Sequence, residues 1–80
     1  MSATVVIYGR PGCHLCEQAL ATVERVRARK PFALEQVDIE SDDALFTRYL
    51  ERIPVITVDG HEIFELFVDE QELESAVAGT

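Results

Sequence analysis

The feature that most constrains the fold of this chain is the stretch at residues 4–16, which has the sequence TVVIYGRPGCHLC. Its beginning, Thr4–Tyr8, is a mainly β-branched run that predicts a strand covered on both faces. Gly9–Gly12 then predicts a tight turn, and a helical pattern opens with Cys13 and Cys16. Because a helix N-terminus favours an anion, thiols placed there are suited to thiol–disulfide chemistry.

The size of the chain indicates how such a fold is stabilised. Eighty residues predict one domain over residues 1–80, with no room for a separate substrate or cofactor domain. The two cysteines are so close in sequence that a bond between them would constrain the unfolded chain little. Stability must therefore come from the apolar core, and a hydrophobic content of 48% is ordinary for a globular domain. The cysteine pair is left for chemistry.

The charge of the chain is negative and unevenly distributed. The formal net charge is −8 at pH 7, and no lysine or arginine follows Arg52. Nucleic acids and anionic membranes require clustered positive charge, so we expect neither as a partner. A protein partner is expected to present a basic patch, although the same acids could serve only to keep a small domain soluble. The acids of the last third are Asp59, Glu62, Glu65, Asp69, Glu70, Glu72 and Glu74.

No targeting segment is visible in the sequence. Thr4–Tyr8 is too short for the apolar region of a signal peptide or for a membrane span. We therefore expect a cytoplasmic protein, in which structural disulfides are rare and cysteine pairs are more often catalytic or metal-binding. We also expect a monomer.

The remaining patterns alternate between helix and strand. The first helix begins at Cys13 and ends before Pro31, after basic residues that suit the negative end of the helix dipole. Phe32–Asp38 predicts a second strand, and Ser41 is expected to cap a second helix. The apolar face of that second helix consists of Leu45, Phe46, Tyr49 and Leu50.

The second half of the chain predicts a hairpin and a final helix. Val55–Val58 is the third strand, and Asp59-Gly60 is a strong hairpin signal leading to a fourth strand at His61–Glu65. Asp69 and Glu72 predict a capping box at the last helix. The order βαβαββα defines an α/β fold, in which the first βαβ unit has parallel strands and the hairpin has antiparallel strands.

This order, with Cys-x-x-Cys after the first strand and Ile53-Pro54 before the third, resembles the minimal thioredoxin fold of the glutaredoxins. The resemblance covers residues 4–78, and YGRPGCHLC at residues 8–16 is similar to the family's active-site segment. Within that family, the chain resembles the small bacterial glutaredoxin-like proteins with Cys-x-Leu-Cys sites. The resemblance implies a mixed four-stranded sheet of order 2-1-3-4 flanked by three helices. It also implies a cis Ile53–Pro54 bond facing the thiols.

One stretch departs from the glutaredoxin pattern. Glutaredoxins follow the hairpin with an Ile-Gly-Gly-like turn and an acidic pair that hold the γ-glutamyl end of glutathione, whereas here Phe64 and Glu65 replace both glycines. A side chain blocks the close backbone approach that glycine permits, and Glu65 would repel a carboxylate. The departure argues against glutathione as the reductant.

The expected chemistry is dithiol–disulfide exchange. Cys13, exposed at the helix N-terminus, is the expected nucleophile, and the more buried Cys16 is expected to resolve the mixed disulfide. Arg10 and a protonated His14 would add positive charge near the nucleophile. No cofactor is expected beyond the Cys13–Cys16 disulfide. The residues expected to contact the substrate are Arg10, His14, Ile53 and Pro54.

Three functions remain open at this point. The first is a dithiol oxidoreductase that reduces disulfides of proteins or small thiols and is recharged by a flavoprotein reductase or another redoxin. The second keeps glutathione as the reductant. The third is a non-enzymatic redox-sensing or metal-binding module. We assign no metal ligands, because zinc needs four, only His14 and His61 could join the cysteines, and His14 lies between the cysteines, where it is poorly placed to join them.

Overall fold

The structure is a computed structural model and describes residues 3–78 of the chain. Strands and α-helices alternate in the predicted order βαβαββα, and a short 3₁₀ helix at Ile39–Ser41 precedes the second α-helix. Within the described residues, no helix is both long and apolar enough to cross a membrane. The elements are β1 (Thr4–Gly9), α1 (His14–Arg29), β2 (Ala33–Asp38), α2 (Asp43–Tyr49), β3 (Val55–Val58), β4 (His61–Glu65) and α3 (Glu70–Ala78).

The strands form a mixed sheet with the order β2-β1-β3-β4, which confirms the prediction. β1 pairs in parallel with β2, whereas the β1–β3 and β3–β4 pairs are antiparallel. The hairpin between β3 and β4 turns at Asp59 and Gly60, whose φ angles are 50° and 86°. Positive φ at both central residues is what a two-residue type I′ turn requires, so Asp-Gly suits this position.

The two faces of the sheet are covered by different helices. On one face, apolar residues of β1 and β3 pack with α1 and α3 to form the main core. The core residues that these four elements contribute are Val5, Ile7, Ala19, Val23, Val26, Ile56, Val58, Leu73 and Val77. On the other face, α2 and the 3₁₀ helix cover a smaller cluster of Ile39, Tyr49, Ile53 and Val55, against which both cysteines pack. The candidate redox pair therefore lies at the edge of the smaller cluster.

The predicted N-cap of α2 is wrong. Ser41 ends the 3₁₀ helix, where its hydroxyl donates a hydrogen bond of 2.6 Å to the Asp38 carbonyl. The cap is Asp42, whose Oδ1 accepts from the backbone N–H groups of Ala44 and Leu45. An intervening 3₁₀ turn uses the serine locally, and this shifts the helix start by one residue.

The remaining element boundaries agree closely with the sequence patterns. β1 extends one residue further than predicted, to Gly9, and β2 begins at Ala33 rather than Phe32. At α3, Asp69 Oδ1 accepts a hydrogen bond of 2.9 Å from the Glu72 N–H, as expected for a helix cap.

Candidate functional site

A β-turn at Arg10–Cys13 leads from β1 into α1. The Cys13 N–H donates to the Arg10 carbonyl at 3.4 Å, and Gly12 has a φ of 77°. Proline at the second position and glycine at the third are typical of a type II turn, in which the third residue needs positive φ. Cys13 then caps α1 with an extended backbone, and its carbonyl accepts from the Glu17 N–H at 3.1 Å. The turn therefore places the first cysteine at the helix start rather than inside the helix.

Cys13 and Cys16 are joined in a disulfide, and their Cα atoms are 5.2 Å apart. The Cys13 Sγ also accepts a hydrogen bond of 3.1 Å from the Cys16 backbone N–H, and so takes the place of a capping oxygen. An anion at this sulfur would be stabilised by that N–H and by the positive end of the helix dipole. Both cysteines are half-buried, so the expected contrast between an exposed Cys13 and a more buried Cys16 is not seen in the disulfide form.

The Cys16 sulfur lies against the end of β1. A Cβ atom added at Gly9 would be 2.9 Å from the Cys16 Sγ and 3.3 Å from the Cys16 Cβ. The first distance is shorter than non-bonded atoms of this kind approach, so a side chain at position 9 would require the strand or Cys16 to shift. The sequence indicated a turn glycine here, because no local pattern distinguishes a glycine needed for a turn from one needed for packing.

Arg10 and His14, which the sequence predicted to add charge at the nucleophile, are both near carboxylates. The Arg10 Nη2 lies 3.0 Å from the Glu40 Oε2. His14 is exposed, with its Nδ1 3.9 Å from the Glu17 Oε2 and its Nε2 3.0 Å from the Gln18 amide nitrogen. We therefore attribute the stabilisation of a thiolate here mainly to the helix start.

The Ile53–Pro54 peptide bond is cis, as the resemblance implied. Pro54 is fully buried, and Ile53 belongs to the cluster against which both cysteines pack. On either side of Ile53, the carbonyls of Arg52 and Pro54 both accept from the Leu66 N–H, at 3.2 and 2.9 Å. Within residues 3–78, the backbone N–H and carbonyl of Ile53 have no hydrogen-bond partner.

An apolar loop between β4 and α3 lies beside the first turns of α1. Phe67 is 68% exposed, and a shallow pocket connects it with Leu15, which lies between the two cysteines. Leu66 has a φ of 69°, which is unusual for a residue with a side chain. The left-handed residue comes directly after the Phe64-Glu65 pair, which remains in β4. Sequence reasoning missed Leu66 because leucine carries no signal for positive φ.

A carboxylate on β4 connects α2 with the loop before the cis-proline. Glu62 accepts hydrogen bonds from Arg52 at 2.6 Å, from the Tyr49 hydroxyl at 2.9 Å and from Arg48 at 3.2 Å. The hydrogen bond from Arg52, followed by that from Tyr49, lowers the pKa of Glu62. Burial, followed by the hydrogen bond to Glu62, raises the pKa of Tyr49. The centroids of the Tyr49 and Tyr8 rings are 4.9 Å apart, and Tyr8 packs against the same cluster as the cysteines.

The arrangement can carry out two-electron exchange through the cysteine pair. Among the described residues, no group of three or more histidine, cysteine, aspartate or glutamate side chains could hold a metal ion. A β2-β1-β3-β4 sheet, a Cys-x-x-Cys pair at the start of α1 and a cis-proline before β3 together define a protein of the thioredoxin-fold class.

The family follows from comparison with known sequences. The sequence profile of the glutaredoxin-like domain (DUF836) matches residues 4–78, and the chain belongs to this family. A glutaredoxin-like protein of Dictyostelium discoideum is 31% identical over 78 residues, which cover 90% of this chain and 72% of that protein. The resemblance inferred from the sequence is thereby confirmed.

Solved structures agree with this assignment. Protein Ne2328 from Nitrosomonas europaea superposes with a TM-score of 0.84 at 29% identity, covering 96% of this chain and 93% of that one. A structural genomics target protein of X. campestris gives a TM-score of 0.78 at 30% identity, covering 95% and 97%. A thioredoxin of Halobacterium salinarum, 22% identical with a TM-score of 0.66, shares the fold over 96% of this chain and 73% of its own. The glutaredoxin-like fold and the bonded cysteine pair support a redox-related function.

Proposed function

We propose that this protein is a dithiol–disulfide oxidoreductase that reduces disulfides of proteins or small thiols. The observation that carries the proposal is the hydrogen bond of 3.1 Å from the Cys16 N–H to the Cys13 Sγ at the start of α1. In the reduced protein, that N–H and the helix dipole favour the thiolate of Cys13. The thiolate is the nucleophile of disulfide exchange, so Cys13 is the residue that attacks the substrate.

The reaction proceeds in two exchanges. The Cys13 thiolate attacks one sulfur of the substrate disulfide, which forms a mixed disulfide and releases the other substrate sulfur as a thiolate. Cys16 loses its proton and attacks the Cys13 Sγ, which breaks the mixed disulfide and releases the second substrate thiolate. The substrate has then gained two electrons, and the Cys13–Cys16 disulfide remains. A flavoprotein reductase or another redoxin returns the pair to the dithiol form.

The surroundings of the pair suit a polypeptide substrate. The free N–H and carbonyl of Ile53 can pair with the backbone of an extended segment that carries the substrate cysteine. Apolar side chains of the same segment can contact Phe67 and Leu15. By the resemblance, Phe64 and Glu65 stand where glutaredoxins have their two glycines, and these side chains disfavour the close backbone contact that glutathione would need.

The test combines a thiol titration with a trapping experiment. We expect the Cys13 thiol of the reduced protein to titrate below the ordinary cysteine pKa, and insulin reduction by dithiothreitol to accelerate when the protein is added. Cys16→Ser should accumulate a mixed disulfide with a disulfide-bonded peptide, whereas Cys13→Ser, the matched control, should form little. An ordinary Cys13 pKa together with no acceleration would contradict the proposal. Turnover of a glutathione mixed disulfide that survives Cys16→Ser would instead identify glutathione as the reductant.

A further inference from the structure

We infer that Gly9 is a positioning residue for the Cys16 sulfur and that it stabilises the disulfide form of the site relative to the dithiol form. The inference rests on the proposed function, because it concerns the redox equilibrium of the same cysteine pair. It also assigns to the end of β1 a role in the second exchange, in which Cys16 displaces the substrate.

In the disulfide form, a side chain added at Gly9 could not be accommodated by a small movement, because both Gly9 and the Cys16 sulfur are fixed. Gly9 is buried, ends the central strand β1 and lies in register with Asp38 of β2. The Cys16 Sγ is bonded to the Cys13 Sγ, so it cannot rotate away from the strand. A methyl group at position 9 would meet this sulfur at 2.9 Å and the Cys16 Cβ at 3.3 Å. Neither partner can move without disturbing the sheet or the disulfide.

The contact with the Cys16 Sγ is relieved more easily in the dithiol form, whereas the contact with the Cys16 Cβ is the same in both forms. In a free cysteine, rotation about the Cα–Cβ bond can move the sulfur to another rotamer. A side chain at position 9 therefore destabilises the disulfide more than the dithiol. Because Gly9 has no side chain, it leaves space for the Cys16 sulfur in the position where that sulfur bonds to Cys13.

The second exchange requires the Cys16 sulfur to occupy the same position. In the mixed disulfide, the Cys16 thiolate must reach the Cys13 Sγ, form the new sulfur–sulfur bond and break the bond to the substrate sulfur. With alanine at position 9, the Cys16 sulfur is displaced from its position at the end of β1. We therefore expect the mixed disulfide of Gly9→Ala to persist longer than that of the wild-type protein.

The test is the thiol–disulfide equilibrium of Gly9→Ala with dithiothreitol. We expect the equilibrium constant for reduction of the protein disulfide to rise about tenfold, which corresponds to about 30 mV for a two-electron couple. Gly60→Ala is the matched control, because Gly60 has a φ of 86° and an added Cβ would have no neighbour within 4 Å. It should lose folding stability and keep the wild-type equilibrium constant. An unchanged constant in Gly9→Ala would overturn the inference.

A second measurement separates positioning from a general packing defect. Gly9→Ala should lower the midpoint of urea unfolding most in the oxidised protein, and less in the reduced protein and in a Cys16→Ala background. Equal losses in all three forms would contradict the inference, whereas failure to fold in the oxidised form alone would support it. Neither measurement uses a substrate, so the outcome does not depend on whether the wild-type protein reduces proteins.

Discussion

Leu66 shows how a single residue can take a conformation that its side chain disfavours. Its φ of 69° lies in the left-handed region, and the Phe67 N–H donates to the Glu65 carbonyl at 2.8 Å to close a three-residue turn around it. The Leu66 N–H bonds to the carbonyls on both sides of Ile53, at Arg52 and Pro54. These hydrogen bonds hold the loop against the cis-proline segment, which explains how the unfavourable φ persists.

The conformation of Leu66 leads to a stability prediction. We expect Leu66→Gly to be more stable than Leu66→Ala by about 1 kcal/mol, because both delete the side chain but only alanine is strained at positive φ. Urea unfolding of the two variants measures the difference. At Phe67, where φ is not positive, the order should reverse. Equal stability of the glycine and alanine variants at position 66 would contradict the explanation.

At the scale of elements, Glu62 connects three parts of the candidate site. Its carboxylate on β4 accepts from Tyr49 and Arg48 of α2 and from Arg52 in the loop before the cis-proline. Arg52 also donates to Glu65, so the loop is held at two positions of β4. Isolated exposed ion pairs contribute little to stability, but one carboxylate with three donors forms a network that fixes the geometry of the loop.

The lowered pKa of Glu62 predicts a dependence of stability on pH. Since the folded-state pKa lies below the ordinary glutamate value of 4.5, Glu62 contributes stability that is present above that value. The contribution is lost as the pH falls through the folded-state pKa. Glu62→Gln should therefore be less stable than the wild-type protein at pH 7, and this difference should shrink as the pH falls below 4.5.

Thermal unfolding across a pH series measures this difference. Glu35→Gln serves as the control, because Glu35 is an exposed carboxylate on β2. The stability difference between Glu35→Gln and the wild-type protein should stay nearly constant over the same pH range. A gap between Glu62→Gln and wild type that stays the same at acid pH would rule out the assigned role of the carboxylate.

At the level of helices and strands, local patterns in the sequence predicted much of the fold but not the contacts between elements. The element order, the parallel β1–β2 pair and the antiparallel hairpin at Asp59-Gly60 followed from local patterns of burial, turns and helix caps. The strand order of the sheet and the cis Ile53–Pro54 bond were implied only by the resemblance to glutaredoxins. Contacts between distant segments did not follow. The fit of Gly9 against Cys16, and the pairing of Arg10 with Glu40, arise only when the folded chain brings these residues together. Sequence reasoning therefore located the redox pair but not the residues that hold it in position.

At the scale of the whole molecule, the surface is strongly acidic, although most of the basic residues are in ion pairs. Six of the seven basic residues lie within 4.0 Å of a glutamate oxygen. They are Arg10, Arg25, Arg27, Arg29, Arg48 and Arg52. Three ion pairs join α1 to α3: Arg25 lies 3.1 Å from Glu70, and Arg29 bonds to both Glu70 and Glu74 at 2.8 Å. The net charge is −8 because the 15 acidic residues outnumber the seven basic ones, so the field around the protein is negative.

This field predicts which substrates the reduced protein attacks fastest. Two disulfide-bonded peptides that differ only in lysine or glutamate residues around the cysteine should be reduced at different rates, the lysine peptide faster. The advantage should decline as salt is raised, because the screening length falls from about 10 Å at 0.1 M to about 3 Å at 1 M. Dithiothreitol is the control, because its small thiolate attacks disulfides by the same chemistry without an extended acidic surface. A preference that is equally large with dithiothreitol, or that does not change with salt, would show that the acidic surface does not select the substrate.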